Sequence, residues 1–139
     1  MEQLGYAGML HDLGKSKIDT AIINKKSMLS DIEIIKIREH PEIGYKLAKE
    51  LGISNEKILN AIRHHHERLD GSGYPNKIRS HEINIYAKII SICDVFDALT
   101  TKRSYKDALG TFEAFKLMKL EKYHFDNELL KKFIKLFVK

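Results

Sequence analysis

Between about His81 and Leu99 the chain is apolar around most of a helix. Ile83, Ile85, Ala87, Ile89, Ile90, Ile92, Val95, Phe96, Ala98 and Leu99 leave few polar positions. Such a helix must be enclosed by other elements. It therefore predicts a central buried helix, with the rest of the chain laid around it. One carboxylate, Asp94, falls in the middle of this stretch. A buried carboxylate is costly unless it is paired or bound to a cation, so the segment that sets the centre of the fold also marks a candidate site.

Helical periodicity dominates elsewhere. Leu4, Ala7, Gly8, Met9 and Leu10 read as the last turns of a helix running into His11. Ser30 and Glu33 have capping-box spacing ahead of Ile34, Ile35 and Ile37. Pro41 suits the first turn of the next helix, with Ile43, Leu47 and Leu51 inward and Gly52 ending it. Ser54 is placed to cap a helix reaching His65, and Thr111 and Asp126 two more. In the last of these, Leu129, Leu130, Phe133, Ile134 and Phe137 share a face. Gly71, Gly73 and Pro75 break any period across residues 69–79, which predicts a loop. No strand, repeat or low-complexity tract is evident. The expectation is one domain over residues 1–139, an all-α bundle of about six to seven helices with short connections.

Composition matters mainly for what it excludes. The single cysteine, Cys93, cannot form an internal disulfide, and no apolar run approaches a membrane span. Residues 1–10 lack the pattern of a signal peptide. The expected location is cytoplasmic. The net charge of +5 suits a phosphate-bearing ligand. Nothing resembles the interleaved basic and aromatic residues of a module for nucleic-acid polymers.

Five of the seven histidines fall at three places in the chain. His11 abuts Asp12, His64, His65 and His66 are consecutive, and His40 stands alone. Consecutive helical positions point about 100° apart, so at least one of the three cannot reach a shared site. His11 and Asp12 can serve one site if the helix ends there, and Gly14 supplies the break. Imidazoles with carboxylates suit manganese, iron or zinc better than calcium or magnesium. Asp12, with two oxygens, could bridge two ions able to clamp a phosphoryl group.

These residues resemble a known family. His11-Asp12-Leu13-Gly14-Lys15 resembles the HDxGK signature of HD-domain phosphohydrolases. The run from His65 to Pro75 (HHERLDGSGYP) is similar to the HHE-and-GYP stretch of the HD-GYP subfamily, and residues 94–100 with Arg103, Tyr105 and Lys106 also match. The resemblance implies a compact HD-domain bundle with a GYP loop. It implies a metal-dependent phosphodiesterase that hydrolyses cyclic di-GMP to pGpG or GMP. It implies two or three divalent ions, iron or manganese ahead of zinc, nickel or magnesium. His11, Asp12 and Asp94 would serve one ion, and Asp12, His40, His65 and His66 a second; His64 has no counterpart. Lys15 would stand beside the scissile phosphate. Gly73 would allow close approach of a ligand, Tyr74 would stack on a guanine, and Arg103 and Lys106 would contact phosphate and guanine.

Some positions depart from that pattern. Leu69 stands where an aromatic is usual, Ser104 where proline precedes Tyr105, and Lys25-Lys26-Ser27-Met28-Leu29 lacks a Pro-Gly turn. The family's first helices, one of which carries a further histidine ligand, would lie before His11, where only ten residues without histidine stand; the expectation is a fragment of a longer protein, a chain that pairs with another supplying that part, or a degenerate domain. The alternatives are therefore an impaired module that binds ligand or a GGDEF domain, and an HD hydrolase for another nucleotide. Apolar surface left open by the absent helices predicts self-association.

Overall fold

The computed structural model describes residues 2–102 and 106–138. They fold into α1 (Glu2–Leu10), a 3-10 turn (Leu13–Lys17), α2 (Thr20–Ile23), α3 (Asp31–Ile37), α4 (His40–Glu50), α5 (Glu56–His64), α6 (Ile85–Thr100), α7 (Thr111–Leu120) and α8 (Asn127–Lys135). All the α-helices but α2 run seven residues or more, and no strand forms among the described residues. None of the described helices is long and apolar enough to cross a membrane.

As its composition requires, α6 is the centre. Its Ile90 joins Ala7, Ala48, Leu59 and Ile62 in a core formed with α1, α4 and α5. On another side, Ile92, Val95 and Phe96 join Phe115, Met118, Phe125 and Leu130 in a second core formed with α7 and α8. The helix is not enclosed all round, however. Cys93 and Asp97 are exposed, and Ile89 lines open grooves on that side.

Local chemistry moves several predicted boundaries. α6 starts at Ile85 rather than near His81, because the Asn84 side chain accepts the Ala87 N–H at 2.8 Å. Its amide also donates to the Lys57 carbonyl at 3.0 Å, tying this start to α5. Asn55 rather than Ser54 caps α5, accepting from the Lys57 and Ile58 amides. Gly110 precedes α7, so Thr111 is already helical. Leu51 is 70% exposed rather than inward. The buried side of α4 is His40, Pro41, Gly44 and Ala48. The turn at Gly52, with φ +88, brings Ile53 to the core instead. The Ser30–Glu33 capping box and the Asp126 cap form as expected.

One close approach locks the exit of α1 against α4. The 3-10 turn lies so tightly on the start of α4 that a Cβ on Gly14 would run into the His40 carbonyl and stand 2.6 Å from the Gly44 nitrogen.

Candidate metal centre

Four pieces of backbone end or pass at one place. The exit of α1 carries His11 and Asp12, with Lys15 on the 3-10 turn. The start of α4 carries His40, the end of α5 carries His65 and His66, and the middle of α6 carries Asp94.

Three of the imidazoles are anchored alike. His11 Nδ1 lies 2.6 Å from the Gly8 carbonyl, His40 Nδ1 2.6 Å from Ile37, and His65 Nδ1 2.8 Å from Ile62. A carbonyl can only accept, so each Nδ1 carries the proton and donates it to the turn before. Each bond satisfies a carbonyl that a helix or turn end would leave unpaired. In the neutral ring it also fixes the tautomer, leaving Nε2 as a lone pair directed inward.

The consequence is a concentration of electron pairs. His40 and His65 Nε2 stand 3.2 Å apart. Asp12 Oδ1 lies 3.3 Å from the first and 3.9 Å from the second, is buried, and has no hydrogen-bond partner. Atoms of Asp12, His40, His65 and His66 all lie within 4.8 Å of one another. Donors about 2.1 Å from one ion would stand about 3–4 Å apart, so this set fits a cation. Without one, a proton taken up between the imidazoles and the carboxylate is what relieves their repulsion.

A second group shares Asp12. His11 Nε2 is 3.4 Å from Asp12 Oδ2 and 3.9 Å from Asp94 Oδ1, and His66 Nδ1 is 3.9 Å from Asp94 Oδ2. Lys15 Nζ donates to Asp12 Oδ2 at 2.7 Å. The two oxygens of Asp12 therefore face two different clusters. Burial works to raise the Asp12 carboxyl, but His40 and Lys15 outweigh it and hold it far below the usual range. Asp94 is likewise lowered against the effect of burial, by His11 and His66. His64 turns away, to Asn76 Oδ1 at 3.1 Å.

Lys15, His66, Tyr74, Asp94 and Lys106 line a cleft of about 320 Å³. A second hollow of about 450 Å³ reaches His11, Asp12 and Asp94 from the side of α1 and Cys93. Tyr74 stacks on His66, with ring centres 4.7 Å apart and planes 19° apart, and burial pushes its hydroxyl up to about 12. One face of that ring is therefore already covered. The close approach that Gly73 permits is to the chain itself, because a Cβ there would stand 2.5 Å from His66 O, Glu67 Cα and Arg68 N. Arg103 lies outside the described residues.

Two neighbours had no role assigned from sequence. Glu67 is buried, and its Oε1 accepts the Asn76 and Lys77 amides at 2.6 and 3.1 Å, tying the 69–79 loop beneath the histidines. Its place directly after the histidine pair was the available signal. Arg68 lines the same cleft as Lys15.

Burial lowers the pKa of His64, His65 and His66, whereas bonds to Asp94 and Gly8 raise that of His11 against the effect of burial. As pH falls through the ordinary imidazole value near 6.5, the unfolded chain takes up protons at the first three that the folded chain refuses. His11 acts in the opposite sense, but alone. The metal-free chain is therefore expected to have a lower urea midpoint at pH 5.5 than at pH 7.5. A higher midpoint at pH 5.5 would contradict neutral burial of these rings.

The HD domain family matches residues 1–129. The cyclic di-GMP phosphodiesterase PA4108 of Pseudomonas aeruginosa is 35% identical over 135 residues, covering 97% of this chain and 33% of that protein. The 3'3'-cGAMP-specific phosphodiesterase 2 of Vibrio cholerae is 40% identical over 105 residues, covering 73% of this chain and 20% of that protein. Among solved structures, Bd1817, a HDG"Y"P protein from Bdellovibrio bacteriovorus, shares the fold with a TM-score of 0.73 at 20% identity, covering 96% of this chain and 44% of that one. The chain thus spans a third or less of the length of these two curated relatives.

Proposed function

Since the chain belongs to the HD-domain family, as a member of the HD-GYP type, we propose that it is a metal-dependent phosphodiesterase acting on cyclic di-GMP. The observation that carries this reading is the unpartnered, buried Oδ1 of Asp12 facing the Nε2 atoms of His40 and His65. The His and Asp cluster suits divalent ions. Its mixture of imidazole and carboxylate favours iron or manganese.

His40, His65, His66 and Asp12 would hold one ion, and His11, Asp94 and the other oxygen of Asp12 a second. Such a pair supplies Lewis acidity toward phosphoryl oxygens and lowers the pKa of a water. The chain's own part is positional. The Nδ1–carbonyl bonds orient three imidazoles, and Asp12 fixes the spacing of the two clusters. Lys15, already beside Asp12, offers a positive charge to the phosphate as negative charge develops, and a proton to the departing ribose oxygen. Lys106 lines the cleft where the rest of the substrate would lie. The roles of Gly73, Tyr74 and Arg103 as substrate contacts remain proposals on motif alone. A GGDEF partner or a second copy would be sought at exposed apolar residues of α1 and the C-terminal segment, such as Tyr6, Met9 and Leu136.

The specificity named for the Vibrio cholerae relative favours a second reading, a different cyclic dinucleotide as substrate. Anaerobic incubation of the iron- or manganese-loaded chain with cyclic di-GMP and, separately, 3'3'-cGAMP tests both. Conversion of cyclic di-GMP to pGpG or GMP is expected. Cleavage of 3'3'-cGAMP alone would select the second reading, and cleavage of neither by folded, metal-loaded chain would reject both.

A further inference from the structure

Arg68 follows the histidine pair and Glu67, yet it is no part of the proposed metal centre. It lines the cleft that also holds Lys15, His66, Asp94 and Lys106. Its Nη1 donates to Ser91 Oγ at 2.7 Å and to the Glu67 carbonyl at 3.1 Å. Its guanidinium carbon stands 5.5 Å from the centre of the Phe125 ring. Two hydrogen bonds and an aromatic face hold the group in one orientation, so little side-chain freedom is left to lose on binding. Both acceptors are neutral, so neither cancels its charge. A half-buried cation braced this way, in a cleft with two lysines, is suited to an anion.

A cyclic dinucleotide carries two phosphodiesters, and one metal centre can attack only one at a time. Lys15, bonded to Asp12, belongs with the phosphate under attack. We infer that Arg68, with Lys106 beside it in the cleft, binds the second, non-scissile phosphodiester. The inference rests on the cyclic-dinucleotide reading and makes Arg68 a substrate-selecting residue. A guanidinium can grip the two free oxygens of a phosphodiester through parallel bonds, which a lysine cannot. A substrate with only one phosphodiester would have no use for it.

Steady-state kinetics of the metal-loaded chain on cyclic di-GMP and on bis(p-nitrophenyl) phosphate test this in wild type, Arg68→Gln and Arg68→Lys. Arg68→Gln is expected to raise KM for cyclic di-GMP about 10- to 100-fold, with kcat changed less than about threefold. Its effect on the single-phosphate ester should be far smaller. Arg68→Lys keeps the charge and the stem but loses the fork, and should raise KM for cyclic di-GMP alone by about 3- to 10-fold. Equal losses on both substrates, or a kcat effect without a KM effect, would mean that Arg68 only braces α6 through Ser91, and would overturn the inference. So would unchanged kinetics. If Arg68→Gln does not fold, Arg68→Lys decides by the same comparison. Wild-type chain that cleaves the small ester but no cyclic dinucleotide would sink the substrate reading and this inference together. Wild-type cleavage of cyclic di-GMP with insensitive Arg68 variants would sink the inference alone.

Discussion

Replacing Asp12 with alanine is expected to abolish metal loading and to lower phosphodiester turnover by on the order of a thousandfold or more. Asp12 turns one carboxylate oxygen to each cluster. Oδ1 is directed at His40 and His65, and Oδ2 at His11 and Lys15. One substitution therefore removes a donor from each proposed ion. The effect on the metal-free fold should be smaller than that on metal binding, because all that is lost there is the attraction of His40 and Lys15 for a partly exposed carboxylate. The lost pair with Lys15 is more than a third exposed and contributes little. Thermal unfolding separates the two effects. The metal-free variant should melt close to wild type, while the rise in midpoint on adding manganese or iron should disappear. A variant that still gains stability from metal would show that Asp12 is not a shared ligand.

Gly14→Ala should have the largest effect on the fold itself. A methyl group there has nowhere to go, because the His40 carbonyl and the Gly44 nitrogen are backbone atoms at the start of α4. Relief requires moving the 3-10 turn off α4, which separates Asp12 from His40. Overpacking against backbone at such a site is expected to destabilise by about 3 kcal/mol or more, read as a lower urea midpoint with weakened metal binding. Gly5→Ala makes the contrast. A Cβ there meets nothing within 4 Å and sits inside α1, so the exchange should be neutral or stabilise by about 0.5–1 kcal/mol. Equal stability of the Gly14 variant and wild type would refute the close packing of turn and helix.

Periodicity records burial along one element, and the legible part of the fold is of that kind. The run through α6 was visible because enclosure demands apolar residues on most sides, and Asp94 stood out against it. The 100° step of a helix correctly denied a shared site to all three of His64, His65 and His66, and His64 is the one that turns away. Helix starts were harder to place. Ser54 and Asn55 are both good caps, and only the backbone geometry at Asn55 lets its side chain reach two amides. The anchoring of His11 and His65 was not readable, because each bond goes to a carbonyl that is free only where a helix or turn ends. Gly14 was read as a helix breaker. Its contact with α4 joins residues distant in sequence, which no local pattern reports. The tether from Glu67 to Asn76 and Lys77 was hidden for the same reason.

The central claim is that the convergent His and Asp cluster is a two-ion centre bridged by Asp12. Elemental analysis of the anaerobically purified, folded chain after equilibration with iron or manganese tests it most directly. About two ions per chain are predicted for wild type, from one site built on each face of Asp12. Folded wild-type chain that retains no ion, or Asp12→Ala chain that retains as many as wild type, would contradict it.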